Sequence, residues 1–319
     1  MRHIFILNPA AGKKQGALEL RPIIEAFFAE YPMDYSIYET ERPGHATELV
    51  KAEAERGDAV RFYACGGDGT TLEVLGGIDG FENAELVSVP CGSGNDFLRM
   101  FPNKELFLDI KALVMGTAKP VDAIRCNDRL SLNLCSMGLD ADVADRMVRY
   151  KHLPLVSGSM AYNLALVQTF LRPLGEELRI VMETPDGTVE RSGKYMFALA
   201  ANGQYYGGGY HGSPLSKPDD GMLDFILISK ISHLKMLSVL KKYKNGQHLD
   251  LPFCESFRGS KMTVLAKSPA CVTADGECFR TTVVNFELVP SAIRFVFPAE
   301  NADELLENYK KTVNSPITT

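Results

Sequence analysis

Residues 59–75 read AVRFYACGGDGTTLEVL. The apolar run Ala59–Ala64 is typical of a buried strand, and Thr70–Leu75 begins a helical pattern. Between them lies the loop Gly66-Gly67-Asp68-Gly69, in which the glycines let the backbone approach a ligand closely. A strand, a glycine loop and a helix in this order favour an α/β fold with a parallel sheet, in which ligands bind at the carboxyl ends of the strands.

Two similar junctions flank this one. Ile4–Leu7 leads into Asn8-Pro9-Ala10-Ala11-Gly12, and Leu86–Val89 leads into Gly92-Ser93-Gly94-Asn95-Asp96. In a parallel sheet the three loops lie at the same edge, where helix N-termini offer unpaired N–H groups to phosphates. One glycine turn after a strand is ordinary, but three of them in one domain favour a nucleotide site.

Asp68 is unusual in a loop that binds phosphates, because its carboxylate repels them. The repulsion becomes attraction when Mg²⁺ lies between the two groups, directly or through water. The residues therefore predict a nucleotide bound together with Mg²⁺.

The pattern changes near Lys119-Pro120. Strand and helix patterns alternate up to that point, including a predicted helix over Leu106–Met115. Short strands with turn signals dominate beyond it, and a helical pattern at Leu234–Tyr243, capped by Ser232, interrupts them. We predict two domains and a tail. They are an α/β domain over residues 1–121, with a parallel sheet and helices on both faces, a mainly antiparallel β-sandwich over residues 122–297, and a helical tail over residues 298–319 that packs back on the first domain.

Composition excludes several classes of protein. The 319 residues contain 34 Lys and Arg against 40 Asp and Glu, a net charge of −6, which argues against a nucleic-acid partner. The seven cysteines are odd in number and form no C-x-x-C pair, so neither a disulfide framework nor a zinc site is indicated. Buried free thiols in a reducing cytoplasm are the expected state.

The longest uncharged stretch, Leu153–Leu171, has the length of a membrane span but contains too many polar residues to predict one. A core helix of the second domain is the favoured interpretation, and contact with lipid is the alternative. The basic run Arg146–His152 before it could meet anionic head groups, or it is a solvated charge run. We expect a soluble, cytoplasmic protein.

Taken together, these motifs resemble the phosphofructokinase-like superfold and, within it, the diacylglycerol and sphingosine lipid kinases, which are related to NAD kinase. The soluble bacterial diacylglycerol kinase family is the most similar branch. The resemblance extends over residues 8–277 and rests on the three loops and on three further motifs: Asn202 followed by Gly207-Gly208-Gly209, Asp219-Asp220-Gly221, and Asp275-Gly276-Glu277.

The resemblance implies an ATP-dependent lipid kinase that transfers the γ-phosphate to a lipid hydroxyl, diacylglycerol-like, to give phosphatidic acid. It implies Mg²⁺, a lipid substrate met transiently at a membrane surface, and a possible homodimer. The nucleotide-binding positions it implies are Asn8, Pro9, Ala10, Ala11, Gly12, Thr40, Gly66, Gly67, Asp68, Gly69, Thr70, Thr71, Leu72 and Ser93. A structural Mg²⁺ is implied at the carboxylate of Asp220 and the backbone carbonyls of Lys217 and Met222. The implied catalytic residues are Glu277, Asp275 and Asp68.

The two carboxylates of Asp275-Gly276-Glu277 follow the strand-like run Cys271–Ala274. One could accept the proton of the lipid hydroxyl while the other helps to hold Mg²⁺. The resemblance favours Glu277 as the base, whereas the residues alone do not choose between the two. An Asp-Gly pair in isolation is most often an ordinary turn.

Two positions depart from the family pattern. Leu72 stands before Glu73 where the family commonly has asparagine, and Gly94 stands where many bacterial members have a larger residue. Two other functions stay open at this point: a kinase of a soluble substrate, similar to NAD kinase and supported by GGDGT alone, and a non-catalytic regulator that binds nucleotide or lipid, supported by Leu72 alone.

Overall fold

A computed structural model of the chain describes residues 1–12, 16–92, 94–151, 164–165, 168 and 174–313. The chain divides into two compact units. Unit 1 contains Met1–Val121 and Ala292–Thr319, and unit 2 contains Asp122–Ser291. The sequence predicted a first boundary at the same place, and residues 292–297, which it assigned to the second domain, group here with unit 1. These residues end the last strand, where Arg294 and Phe295 pair with a strand of unit 1.

The helices and strands follow one another along the chain in a fixed order. They are β1 (Arg2–Leu7), α1 (Leu20–Glu30), β2 (Tyr35–Glu39), α2 (His45–Ala54), β3 (Val60–Gly66), α3 (Asp68–Ile78), β4 (Ala84–Pro90), α4 (Ile110–Val114), β5 (Thr117–Cys126), β6 (Arg129–Ser131), β7 (Leu134–Gly138), α5 (Leu139–Lys151), β8 (Glu176–Thr184), β9 (Gly187–Ala201), β10 (Tyr205–Tyr206), β11 (Tyr210–His211), β12 (Leu223–Ser229), α6 (His233–Lys244), β13 (Cys254–Gly259), β14 (Lys261–Ala274), β15 (Glu277–Phe297) and α7 (Ala302–Val313).

Unit 1 is built on a parallel sheet in the order β2-β1-β3-β4, which the end of β15 extends beside β4. Ile4 and Phe5 are consecutive in β1 and both are buried. Because successive side chains of a strand point to opposite faces, both faces of β1 are covered. Phe28 of α1 packs against Phe5, with the ring centroids 5.8 Å apart. Burial on both faces explains why these strands are continuous apolar runs.

The predicted helix over Leu106–Met115 is wrong as a single element. A 3₁₀ helix, Lys104–Leu108, ends just before Asp109, and the short α4 begins after it. The Asp109 side chain accepts a hydrogen bond from the backbone N–H of Lys111 over 2.9 Å. Because this N-cap satisfies an N–H at the start of α4, Asp109 begins a new helix instead of continuing the previous one.

Unit 2 is mainly antiparallel. Its two long strands, β9 and β14, each pair with β8 along one half and with β7 along the other. The main apolar cluster takes Ile124 from β5, Leu178 from β8, Phe225 from β12 and Phe286 from β15. Strands that are distant in the order of the sheet thus contribute to one core, which is the arrangement of a sandwich.

A second apolar cluster lies on the other face of β9 and β12, where α6 covers it. Met236 of α6 packs there with Phe197 and Ile228. The N-cap of α6 is Ser232, whose side chain accepts a hydrogen bond from the backbone N–H of Lys235 over 3.3 Å. The predicted helix and its cap are therefore confirmed.

The helical tail packs on unit 1, as predicted. Leu306 of α7 is fully buried, and the Tyr309 hydroxyl donates a hydrogen bond to the carbonyl of Pro32 over 2.7 Å. Among the helices that the structure describes, none is long and apolar enough to cross a membrane. The stretch Leu153–Leu171 lies outside the described residues except for Leu164, Ala165 and Gln168.

Candidate functional site

The first two glycine loops of unit 1 are joined by Asn8. Its side-chain amide donates a hydrogen bond to the hydroxyl of Thr70 over 2.9 Å, and its side-chain oxygen accepts the backbone N–H of Ala10 over 2.9 Å. The backbone N–H of Asn8 donates to the carbonyl of Cys65 over 3.1 Å. Since β1 and β3 are neighbours in the parallel sheet, these bonds hold the two loops side by side at one sheet edge.

Glycines allow the three loops to pack without intervening side chains. Gly12 has a φ of +75°, and a Cβ there would lie 2.2 Å from the carbonyl oxygen of Cys91. A Cβ on Gly92 would lie 2.5 Å from the Cα of Gly67. The loops after β1, β3 and β4 therefore come together as the sequence predicted, and their glycines are required by close backbone contact.

Asp68 joins the second loop to the third. Its two carboxylate oxygens accept the backbone N–H groups of Asn95 and Asp96, each over 2.8 Å. Burial, together with the charge of Asp96, raises the pKa of the Asp68 carboxyl. A Cβ on Gly94 would lie 2.1 Å from this carboxylate. With Asp68 in this position there is no room for a side chain at position 94, which explains the glycine where many family members have a larger residue.

The remaining predicted nucleotide residues have different surroundings. The backbone N–H of Thr40 donates to the carbonyl of Leu7 over 2.9 Å, which places Thr40 beside the first loop. The hydroxyl of Thr71 is 3.0 Å from that of Ser88 and both are buried, so this side chain points into the core. Leu72 is half-buried in α3. Ser93 lies outside the described residues.

The adjacent Glu73 has a structural role. Its carboxylate accepts the backbone N–H of Ala46 over 3.2 Å, and its carbonyl accepts the hydroxyl of Thr47 over 2.8 Å. Glu73 thus holds the first turn of α2 whether leucine or asparagine stands at position 72.

The loop edge is suited to bind anions. Helix α3 begins at Asp68, directly after Gly67, so its N-terminus lies within the loop cluster. The first N–H groups of a helix lack intrahelical acceptors and carry its positive dipole end. An edge with such a helix start and side-chain-free loops is suited to hold a polyphosphate.

In unit 2, Asp275 and Gly276 form the two-residue turn between β14 and β15. Both have positive φ, 47° and 95°, and Ala274 pairs with Glu277 across the turn. Asp275 is half-buried, and its carboxylate accepts the backbone N–H groups of Leu132, Asn133 and Leu134, at shortest distances of 2.6, 3.1 and 2.9 Å. Burial raises its pKa to about 6. The structure thus uses Asp275 to fix the segment before β7.

Glu277 is different. Its side chain is 54% exposed, and its carboxylate lies 3.4 Å from the guanidinium of Arg129. Arg129 in turn lies over the ring of Phe279, 4.8 Å from its centroid. Of the two carboxylates of the turn, Glu277 is the one that is accessible to a substrate.

Asn202 supports the same segment. Its side-chain amide donates to the carbonyls of Asp122 over 2.8 Å and Leu132 over 2.7 Å, and its backbone N–H donates to Asn133. The motif that begins at Asn202 therefore orders the segment that holds Asp275.

The sequence analysis missed Asp140. This residue lies in the first turn of α5, two positions after Gly138, and is half-buried, with one carboxylate oxygen shielded from solvent. This loss of solvation raises its pKa to about 6. The carbonyl of Ala141, the next residue, lies 3.8 Å from the sulfur of Cys278, which follows Glu277. A carboxyl of this pKa beside the hairpin turn is a candidate acid–base group. The signal was available, since the run 134–140 is a strand, a glycine and an aspartate in the same order as the loops of unit 1.

The turn at Asp219-Asp220-Gly221 is held by Asp122. The Asp122 carboxylate accepts the backbone N–H groups of Gly221 over 2.8 Å and Ser291 over 2.7 Å. The Asp220 carboxylate forms an ion pair with Arg258, whose guanidinium also lies 3.4 Å from Asp224. The positive charge beside Asp220 is therefore the guanidinium of Arg258.

This pairing bears on the predicted structural Mg²⁺. Arg258 contacts Oδ2 of Asp220, so a metal ion bound by this carboxylate either uses Oδ1 beside the guanidinium or displaces it. Among the described residues, no group of three or more His, Cys, Asp or Glu side chains could hold a metal ion. The carbonyl ligands predicted at Lys217 and Met222 stay a prediction.

Comparison with known proteins assigns the family. Residues 2–126 match the model of the diacylglycerol kinase catalytic domain, and residues 133–297 match the model of the YegS C-terminal NAD kinase beta sandwich-like domain. The putative lipid kinase YtlR of Bacillus subtilis (strain 168) is 27% identical over 315 residues, 91% of this chain and 97% of the relative. A diacylglycerol kinase of Mycobacterium tuberculosis (strain ATCC 25618 / H37Rv) is 30% identical over 265 residues, 78% and 80% of the two chains.

A solved structure has the same fold. The crystal structure of a putative diacylglycerol kinase from Bacillus anthracis str. Sterne matches with a TM-score of 0.72 and 23% identity, over 93% of this chain and 97% of the other. The chain belongs to the diacylglycerol kinase family of lipid kinases, which is related to NAD kinase. It is a kinase, and the interpretation as a non-catalytic regulator is set aside.

Proposed function

We propose that this protein transfers the γ-phosphate of ATP to the hydroxyl of diacylglycerol, giving phosphatidic acid. The observation that carries the proposal is the loop cluster of unit 1, where Asn8 and Asp68 join three glycine loops around the start of α3. Relatives named diacylglycerol kinase support the choice of lipid. We further propose that the substrate is met at a membrane surface.

The residues of unit 1 bind and orient the triphosphate. Backbone N–H groups at the start of α3 and the loop glycines receive the phosphate oxygens. Mg²⁺, when bound with ATP, neutralises charge that builds up on the transferred phosphoryl group. Each oxygen of Asp68 accepts one backbone N–H, which leaves each with a further lone pair that fits a cation or its bound water.

Glu277 acts as the general base and accepts the proton of the lipid hydroxyl at its carboxylate. Its exposure allows a substrate to approach, and Arg129 at 3.4 Å limits the orientations of the side chain. Asp275 is a positioning residue, because its two oxygens are already used by three backbone N–H groups. Transfer of the proton makes the lipid oxygen a stronger nucleophile toward the γ-phosphorus.

The test uses purified protein, γ-labelled ATP, Mg²⁺ and mixed micelles of diacylglycerol, followed by extraction into organic solvent. We expect label in the organic phase, and a loss of about 100-fold or more in kcat for Glu277→Gln. Glu287→Gln is the matched control, since Glu287 lies on the same strand and pairs with Lys261 at 2.6 Å.

Two results would contradict the proposal. If NAD is phosphorylated and no lipid is labelled, the protein is a soluble-substrate kinase. If Glu277→Gln retains wild-type kcat on diacylglycerol, Glu277 is not the base.

A further inference from the structure

Helix α6 has a charge opposite to that of the whole chain. Its sequence, HLKMLSVLKKYK, contains four lysines and no Asp or Glu, whereas the protein has a net charge of −6. The nearest acidic residues in sequence are Asp224 before the helix and Asp250 after it. Cations are thus concentrated on one short element.

The outer face of α6 carries two exposed leucines in the first half of the helix. Met236 faces inward and packs with Phe197 and Ile228. On the opposite side, Leu234 is 81% exposed and Leu237 is 58% exposed. At about 100° per residue, both leucines lie on the face that is turned away from Met236. They are among the few large apolar side chains of the described residues that point into solvent.

The lysines lie beside these leucines and toward the C-terminal end of the helix. Lys241 lies on the same face as the leucines, Lys235 and Lys242 lie along one side, and Lys244 lies along the other. The ammonium groups of Lys235 and Lys244 rest over the rings of Phe253 and Tyr210, at 4.7 and 5.6 Å from the centroids. Among the residues that the structure describes, none of these four ammonium groups has a carboxylate oxygen within 4.0 Å.

We propose that the outer face of α6, formed by Leu234, Leu237 and the four lysines, docks the protein on an anionic lipid bilayer. Leucines that are exposed on a helix face can enter the boundary between head groups and acyl chains. Lysines at the sides can extend their stems over apolar surface and place their ammonium groups at lipid phosphates. The proposal rests on the proposed function in one respect, that the substrate is dissolved in a membrane.

Charge favours a bilayer over a second copy of the chain. An isologous contact through α6 would bring together two faces that each carry four lysines and no carboxylate, which is repulsive. An anionic bilayer instead offers negative charge over the whole face, together with an apolar phase for the two leucines.

The test is flotation of the full-length protein with vesicles, without ATP. Vesicles of phosphatidylcholine are compared with vesicles in which a third of the lipid is phosphatidylglycerol. We expect binding to the anionic vesicles only. Loss of three lysines, Lys241→Gln/Lys242→Gln/Lys244→Gln, is expected to weaken partition on the order of 100-fold, and Leu234→Ser/Leu237→Ser about tenfold or more.

Matched controls make the same chemical changes elsewhere. Ile23→Ser/Leu108→Ser alters two leucine-sized side chains of unit 1 that are 54% and 52% exposed, and Lys51→Gln/Lys104→Gln/Lys267→Gln removes three exposed lysines. The proposal is overturned if the wild-type protein ignores anionic vesicles, if it binds both kinds equally, or if the α6 variants bind as well as the controls.

Two further measurements separate this inference from others. Kinase activity on a short-chain diacylglycerol in detergent should be unchanged in the α6 variants, so loss of docking and loss of catalysis are distinguishable. Sedimentation velocity tests the second copy as occupant. If the leucine variant changes the oligomeric state and leaves vesicle binding intact, α6 is a contact between copies and the bilayer proposal is wrong.

Discussion

The carboxylate of Asp68 accepts the backbone N–H of Asn95 over 2.8 Å, although the two residues are 27 positions apart in the chain. The second oxygen makes the same kind of bond with the next N–H, that of Asp96. A negative charge within a loop cluster that is suited to phosphates is thus stabilised by donors from a neighbouring loop.

Substitution of Gly94 should disturb this bond. In Gly94→Ala the new Cβ would lie 2.1 Å from the Asp68 carboxylate, so this carboxylate must move and its bonds to the third loop are disturbed. We expect affinity for ATP to fall by about tenfold or more, which corresponds to loss of one charge-assisted hydrogen bond. Binding of a fluorescent ATP analogue measures it. Gly76→Ala, where the nearest atom is 3.8 Å from the added Cβ, should bind normally. Equal affinities in both variants would contradict the assigned role of Gly94.

Asp275 and Glu277 should differ in their effect on stability. In the wild type, backbone N–H groups donate to both oxygens of the Asp275 carboxylate. In Asp275→Asn an amide N–H group replaces one of these oxygens and faces the same donors, so we expect the free energy of unfolding to fall by about 1–3 kcal/mol. Glu277→Gln alters an exposed side chain and should change it by less than about 0.5 kcal/mol. Urea denaturation gives both values. An Asp275→Asn protein as stable as the wild type would remove the basis for its positioning role.

The pH dependence of stability should contain a contribution from Asp140. Burial raises its pKa from 3.8 to about 6, so the folded state holds this proton more tightly than the unfolded state. The stabilisation is therefore complete at low pH, declines between about pH 4 and 6, and is absent above that range. In Asp140→Asn the fall in unfolding free energy between pH 4 and 7 should be smaller by about 2–3 kcal/mol. Asp186→Asn, at an exposed turn, is the control, and a slope unchanged in Asp140→Asn would be evidence against the buried proton.

The ion pair of Arg61 and Glu85 should be a main stabilising contact of unit 1. Both side chains are buried, Nε lies 2.8 Å from Oε2, and Arg61 also donates to the carbonyls of Leu113 and Val114. Arg61→Met leaves these acceptors without a donor and should lower the free energy of unfolding by about 3 kcal/mol. Arg294→Met, which removes an exposed partner of the same Glu85, should cost less than about 1 kcal/mol. If the two variants lose the same free energy of unfolding, burial of Arg61 does not explain how strongly it stabilises unit 1.

Magnesium should compete with Arg258 for Asp220. Without ATP, we expect Mg²⁺ to raise the Tm of the wild-type protein slightly and that of Arg258→Gln by more, because the competing guanidinium is gone. Asp220→Asn should not respond to the ion, whereas Asp219→Asn should respond like the wild type. Thermal unfolding at several Mg²⁺ concentrations measures the shift. An equal shift in all four proteins would place the ion elsewhere.

Local patterns in the sequence predicted much of the fold. The glycine loops, the first boundary near Val121, α6 with its Ser232 cap and the helical tail all depend on residues close together in the chain. The break at Asp109 was missed because an apolar pattern continues across it, and only the side-chain cap separates the two helices. Helix α5 was not predicted, although Leu139, Val143 and Met147 recur at helical spacing, because charged residues fill most of the positions between them.

The features of the site that the sequence did not predict depend on contacts between residues far apart in the chain. The sequence placed Asp275 and Glu277 in one turn but left their roles open. The difference arises from Leu132, Asn133 and Leu134, which are more than 140 residues away and supply the N–H groups for Asp275 alone. Arg258 likewise reaches Asp220 across 38 positions, and no local pattern indicates that pair.

Unit 1 is discontinuous in the chain, and this has a consequence for biosynthesis. The end of β15 and helix α7 belong to it, yet they are synthesised after the whole of unit 2. Residues 122–291 come between, and at ordinary translation rates of about 5–20 residues per second their synthesis takes roughly 10–30 s. During that time the edge of β4 that later pairs with Arg294 and Phe295 is open. Unit 2 can therefore be complete before unit 1 closes its sheet, and the nascent chain is most exposed to aggregation, and most in need of a chaperone, at its N-terminal half.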